Sequence, residues 1–144
     1  MAPVSVDFSP TAQAKAKALA ERRGVAVRFV RADVTAWDWP SAEFDVIAVI
    51  FIQFCGPAER RRIFAGIRQA LEPGGLLLLQ GYRPEQIAYG TGGPSEVENL
   101  YTEDMLREEF GGFARLDIKG HDSVVSEGSR HSGMAAVIDF VGWK

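Results

Sequence analysis

Val4-Ser5-Val6-Asp7-Phe8-Ser9-Pro10 decides how the rest of the chain is read. β-Branched residues alternate with a small polar one, an acid closes the run, and Ser9-Pro10 follows at once. The alternation is strand-like. A serine ahead of a proline is a helix start, with Ser9 as N-cap and Pro10 at the first helical position, where its missing N–H costs nothing. Ala12, Ala16, Leu19 and Ala20 then fall on one helical face, and Gly24 ends the helix. Val25 to Val30 supplies a second strand that ends at Arg31-Ala32-Asp33. The three elements read as a βαβ unit.

Downstream, Val34 to Ala42 reads as a loop. Phe44 to Ile52, F-D-V-I-A-V-I-F-I, is almost continuously apolar, which predicts a strand buried on both faces near the middle of a parallel sheet. Pro57 to Leu71 carries Ile63, Phe64, Ile67, Ala70 and Leu71 as a helical stripe, stopped by Glu72-Pro73-Gly74-Gly75. Leu76 to Gln80 is the next buried strand, and Gly81 to Asn99 is a long loop of the kind that is usually functional. Thr102 to Phe110 reads as a helix. Phe113 to Lys119 and Met134 to Val141 read as two strands with no helix between them, hence antiparallel and joined across His121 to His131. The order predicts an α/β fold: a doubly wound, mostly parallel Rossmann-like sheet with a C-terminal antiparallel hairpin, residues 1–144 forming a single domain.

Composition narrows the function classes. At 144 residues, with 47% hydrophobic and 24% charged residues, the chain has the make-up of one ordinary globular domain. No apolar run approaches the ~20 residues of a membrane span. Cys55 is the only cysteine, so no internal disulfide forms and a reducing cytoplasm is the expected location. A net charge of −3 gives no footprint for nucleic acid, and the basic run Glu59-Arg60-Arg61-Arg62 reads as a solvated helix face.

Ligands of doubly wound sheets bind at the carboxyl ends of the parallel strands, where Asp7, Asp33, Gln53 and Tyr82 lie. A carboxylate there offers two acceptor oxygens to the two hydroxyls of a ribose. Asp7 alone does not separate a nicotinamide enzyme from one that uses S-adenosylmethionine. The second acid in R-A-D-V and the closing hairpin favour the latter.

The set V-D-F-S-P, A-D-V, F-D-V-I and L-E-P-G-G-L-L-L-L, with the paired end strands, resembles the class I S-adenosylmethionine-dependent methyltransferases. More narrowly, G-Y-R-P-E-Q-I-A-Y-G-T-G-G-P and E-G-S-R-H-S-G resemble the small bacterial branch that includes the tellurite-resistance methyltransferases. The resemblance implies S-adenosylmethionine as cofactor and a small-molecule acceptor. It implies that Asp7 holds the ribose, Phe8 lines the adenosine, Asp33 accepts from the adenine amino group, the Val34 N–H meets a ring nitrogen, and Gln53 belongs to the cofactor-binding set. By the hairpin reading, the 121–131 connection brings Glu127 and His131 toward Tyr89 as the substrate side, where Glu127 would orient His131 to deprotonate or position an acceptor; the alternative is that the two only order the hairpin. In this family a glycine-rich turn lies ~20 residues before the ribose acid. The chain therefore reads as lacking its first strand-helix unit, which leaves a non-catalytic remnant as the alternative function.

That reading has an architectural consequence. The absent strand would belong between Val4–Val6 and Phe44–Ile52, so either these two strands pair directly or an open edge is closed by a second chain or by aggregation. Among the remaining motifs, Gly90-Thr91-Gly92-Gly93 reads as a turn-rich substrate loop, since no Lys-Ser/Thr pair follows it. His121, Asp122 and His131 match no zinc spacing, so no metal is expected. No Ser-His-Asp arrangement is expected either.

Overall fold

The computed structural model describes residues 3–126 and 132–144. It divides into two compact units, Met1–Asp38 and Trp39–Lys144.

The first unit is the βαβ element read from the opening stretch. Strand β1 (Val4–Asp7) leads into helix α1 (Pro10–Arg23) and returns as β2 (Arg28–Arg31), parallel to β1 with Val4 opposite Arg28 and Asp7 opposite Arg31. Ser9 Oγ accepts from the Ala12 N–H at 3.2 Å, and Gly24 ends the helix in the left-handed region at φ 63°. Gln13 is buried. Its Nε2 donates to the carbonyls of Asp7 at 3.1 Å and Val30 at 2.6 Å, tying the helix to the ends of both strands. The buried line of α1 runs through Gln13 and Ala20, so Leu19, one residue and about 100° away from Ala20, faces solvent rather than the sheet. Val25 to Val27, expected in the strand, precede it.

The second unit holds β3 (Phe44–Ile50), α2 (Pro57–Ala70), β4 (Leu71–Tyr82), α3 (Gln86–Tyr89), a 3₁₀ turn (Val97–Asn99), α4 (Glu103–Phe110), β5 (Arg115–Ser126) and β6 (Ser132–Trp143). Its sheet has the order β3-β4-β6-β5, with β3 parallel to β4 and β6 antiparallel to both neighbours. The mixed α/β fold with a closing antiparallel hairpin is thus present.

Three boundaries differ from expectation, each for a local reason. Glu72 to Gly75, read as a helix stop, is the irregular start of β4: α2 passes into an extended Leu71, and the register jumps from Phe44–Leu71 to Val46–Leu76. Lys144 holds this corner, its Nζ donating to the carbonyls of Arg68 and Leu71 at 2.6 Å each. The Gly81–Asn99 loop is partly structured, by α3 and the 3₁₀ turn. The hairpin is longer than expected, running from Arg115 opposite Trp143 to Ser126 opposite Ser132. His121 and Asp122 therefore lie within β5, not in its connection. Polar residues on both faces hid this strand, although such residues are what an edge strand carries to block further pairing.

The two faces of the sheet differ. Along β4 and β6, Leu77, Leu79, Ile138 and Phe140 are buried on one face, where Phe64 of α2 and Phe110 of α4 lie 5.0 Å apart and Phe110 lies 5.1 Å from Phe140. Trp39 packs over Gly66, where any side chain would strike its ring. On the other face Val46 and Ile50 of β3 are 53% and 52% exposed. The expectation that the Phe44 strand is buried on both faces in mid-sheet is corrected: among the described residues β3 pairs only with β4, so it is an edge strand. Among those residues β1 pairs with β2 in a two-stranded sheet of its own.

Candidate functional site

In the first unit, two carboxylates stand at the C-terminal ends of neighbouring parallel strands. Asp7 closes β1, and its Oδ1 accepts from the Ser9 N–H at 2.6 Å; no donor among the described residues meets Oδ2. Phe8, next in the chain, is 68% exposed. Asp33 follows β2, and its Oδ1 accepts from the Thr35 hydroxyl at 2.7 Å and the Thr35 N–H at 2.9 Å. The hydroxyl first, then the N–H, hold the Asp33 carboxyl below its ordinary value of 3.8. Asp33 is thus an ionised acceptor and also a turn residue, and Val34 follows it half-buried.

These residues suit the nucleoside part of a cofactor. Each carboxylate has one oxygen fixed by the backbone of its own turn, and an exposed aromatic ring adjoins Asp7. For the rest of such a cofactor the fit is poorer. None of the three turns that carry a strand into a following helix is glycine-rich: β1 passes to α1 through Phe8-Ser9, β3 to α2 through residues 51–56, of which only Gly56 is glycine, and β4 to α3 through Arg83-Pro84-Glu85.

In the second unit the C-terminal ends of β3 and β4 are tied together by Gln53. Its Nε2 donates to the carbonyls of Tyr82 at 2.8 Å and Asn99 at 3.1 Å, while its Oε1 accepts from the Tyr82 N–H at 2.6 Å. The buried amide is saturated by backbone, so it sets the shape of the strand ends. Phe51 precedes it at φ 50°, a left-handed conformation that a bulky side chain rarely adopts and that tends to mark functional sites. This turn sends the Phe51 ring to 4.6 Å from that of Tyr82, over a cluster of Leu100, Ala135 and Val137. Sequence reasoning missed Phe51 because no glycine or asparagine announces the positive φ.

Gly90 to Gly93 packs against this cluster. Gly93, at φ 86°, lies so close to the Tyr82 ring that a Cβ would come within 2.8 Å of it. The loop is fastened by buried Gln86, whose Nε2 donates to Thr91 Oγ1 and the Gly92 carbonyl and whose Oε1 accepts from the Ala136 N–H at 2.8 Å. Thr91 Oγ1 in turn donates to the Met134 carbonyl at 2.6 Å. The glycines therefore serve close packing on the strand ends.

Tyr89, at the end of α3, donates to Asp122 Oδ2 at 3.0 Å, and the other oxygen of Asp122 pairs with the Arg83 guanidinium. The hydrogen bond to Asp122, followed by desolvation, raises the Tyr89 phenol above its ordinary 10.0. A phenol held protonated in this way fastens α3 to β5. Glu127 and His131, the other two substrate-side candidates, lie outside the described residues. His121 and Asp122 are adjacent on β5 and so face opposite sides of the sheet, which separates two of the three residues weighed as metal ligands. Against expectation, His121 forms a Ser-His-Asp arrangement with Ser123 and Asp139.

The methyltransferase domain family matches residues 2–75. A demethylmenaquinone methyltransferase of Thermus thermophilus is 35% identical over 81 residues, which is 56% of this chain and 36% of that protein. The chain thus spans about a third of the length of this curated relative. Among solved structures, TehB from Haemophilus influenzae superposes with a TM-score of 0.74 at 13% identity, covering 98% of this chain and 49% of that one. A SAM-dependent methyltransferase from Methanosarcina mazei gives 0.70 at 16% identity, covering 98% and 81%. At these identities the structures speak to the fold. The cofactor of this group is S-adenosylmethionine, and on the extent of the family match the chain belongs to the methyltransferase domain family, among the class I S-adenosylmethionine-dependent methyltransferases.

Proposed function

We propose that residues 1–144 act as one domain of a methyltransferase whose acceptor is a small molecule. The observation that carries the cofactor side is Asp7: it sits at the end of a parallel strand with Oδ1 fixed by the Ser9 N–H at 2.6 Å, leaving Oδ2 for a ribose hydroxyl. Phe8 then lines the adenosine, Asp33 accepts from the adenine amino group, and the Val34 N–H meets a ring nitrogen. Gln53 acts through the backbone it holds. S-adenosylmethionine supplies an electrophilic methyl group, so the protein needs chiefly to align an acceptor and exclude water.

A small, apolar ring compound suits the second unit. Half-buried Phe51, packed on the buried Tyr82 ring beside the Gly90–Gly93 loop, offers aromatic surface at the strand ends, in keeping with the quinone-type acceptor in the name of the Thermus relative. Tyr89 borders the same loop, and Glu127 and His131 remain our candidates for orienting or deprotonating the acceptor. The tellurite-resistance-like branch rests on the resemblance of the 81–94 and 127–133 sequences.

The open edge of β3 supports one further assignment, self-association through a second copy of the chain. F-D-V-I-A-V-I carries neither lysine nor proline, the usual guards of an edge strand, and a β edge pairs readily with its own copy.

Calorimetric titration with S-adenosylhomocysteine tests the cofactor reading. Without a glycine-rich β–α turn, several hydrogen bonds of ~0.5–1.5 kcal/mol each are lost, so the 144-residue chain should bind weakly. A longer form carrying such a turn should bind well and lose affinity on Asp7→Ala. Failure of the longer form to bind would favour a non-catalytic module.

A further inference from the structure

The face of the four-stranded sheet not covered by α2 and α4 carries a hydrogen-bonded line of polar side chains that the methyltransferase reading leaves unused. His121 and Ser123 share this face by the two-residue alternation of β5, and Asp139 of β6 and Gln80 of β4 lie opposite one another on it. Ser123 Oγ is 2.8 Å from His121 Nδ1, and His121 Nε2 is 2.9 Å from Asp139 Oδ2. Gln80 Nε2 donates to the other oxygen of Asp139 at 2.7 Å.

The chemistry of the partners fixes the direction of these bonds. An ionised Asp139 only accepts, so Nε2 carries the ring hydrogen; Nδ1 is then the basic nitrogen, and the Ser123 hydroxyl donates to it. A hydroxyl within reach of a base, with the base oriented by a third group, is the general arrangement of an activated nucleophile. It is recognised by geometry and roles rather than by chain order. Here the third group is itself held by an amide from a neighbouring strand. His121 is only half-buried, so reagents reach the site.

We propose that Ser123 is a reactive nucleophile, with His121 as its base and Asp139 as the positioning residue, and that it takes activated acyl and phosphonyl donors. In the step, Ser123 Oγ bonds to the carbonyl carbon or phosphorus as the bond to the leaving phenolate or fluoride breaks. The hydroxyl proton passes to His121 Nδ1, and Asp139 stabilises the resulting imidazolium through Nε2–H. The proton then leaves to solvent, and Ser123 remains as an ester. His121 and Ser123 are half-buried rather than enclosed in a cleft, so the expected reaction is one covalent event per chain rather than rapid turnover.

The test uses the full chain with p-nitrophenyl acetate and with a fluorophosphonate, read by nitrophenol release, intact mass and peptide mapping. A single adduct on Ser123 is expected. Ser123→Ala should abolish it, His121→Gln should slow it roughly a hundredfold, and Ser126→Ala, on the opposite face of β5, should leave it unchanged. Asp139→Asn keeps the shape of the side chain; it should slow labelling while the ring-nitrogen chemical shifts of His121 move away from the single Nε2–H tautomer. Absence of an adduct, an adduct elsewhere, or labelling of His121→Gln at the unmodified rate would overturn the proposal.

Discussion

The two faces of the four-stranded sheet are built from similar residues and end in different states. On one face Leu77, Leu79, Ile138 and Phe140 are buried beneath Phe64 and Phe110. On the other, Val46 and Ile50 stand half-exposed beside the Gln80–Asp139–His121 network. The residues of β3 are no less apolar than those of β4. Burial follows from what lies over a strand, so an apolar run reports the environment a strand suits rather than the one it has.

The largest effects should come from the covered face. Phe110→Ala removes a ring that meets Phe64, Phe113 and Phe140, and should cost about 3–5 kcal/mol in denaturant unfolding. Ile50→Ser, at a half-exposed position, should cost no more than about 0.5 kcal/mol. If both cost the same, something covers Ile50 in solution and the contrast between the faces fails.

A pair of glutamines sharpens the comparison at smaller scale. Gln53→Leu strips the Tyr82 N–H and two carbonyls of their buried partner, a loss of about 1–3 kcal/mol. Gln80→Leu frees only one oxygen of a partly exposed Asp139, and the unfolding midpoint should barely move. Equal losses would mean that the polar network on the open face supports the fold as strongly as Gln53 does.

The same contrast explains what could be read in advance. The βαβ opening, the Ser9 cap, the α2 stripe and the antiparallel hairpin were legible because each depends on local chemistry: a capping hydroxyl, a helical period, a pair of strands with no helix between them. Exposure of β3 was not legible, since it depends on neighbours. Nor was the full length of β5, whose polar residues suit an edge strand as well as a loop. At the candidate site, Asp7 and Asp33 were found because an acid at a strand end has a recognisable place. Gln53 was found for its position, but its saturation depends on the backbone of Tyr82 and Asn99, far away in the chain. The Asp139–His121–Ser123 line is assembled by register across β5 and β6, which no spacing within either strand discloses.

The edges of the sheet differ as its faces do. β5 carries Arg115, Asp117, Lys119 and Asp122, whereas β3 carries only Asp45. Val46→Lys would give β3 the guard that β5 has. Its effect on unfolding should be within about 0.5 kcal/mol, while sedimentation should shift toward monomer if a second copy pairs with the edge. An unchanged assembly would remove β3 from any self-association.

The smallest effect separates the two sides of β5 by their protons. Asp122, on the side opposite His121, accepts from the Tyr89 phenol at 3.0 Å. This bond exists only while Tyr89 is protonated, and the carboxylate beside it opposes a phenolate, so the phenol is raised above 10.0. The folded chain therefore holds this proton more tightly than the unfolded chain does. The stability contributed by the bond is fully present below the unfolded value near 10.0 and is lost as pH rises through the higher folded value. Because the pair is exposed, only a slight decline in stability should appear in strongly alkaline buffer, and Tyr89→Phe should remove that decline. The direct readout is phenolate absorbance, with the Tyr89→Phe variant subtracted to isolate one ring from Tyr101, which burial pushes up as well. A Tyr89 midpoint at or below the ordinary tyrosine value would mean that α3 is not fastened to β5 through Asp122, and that the loop beside it is held by Gln86 and Thr91 alone.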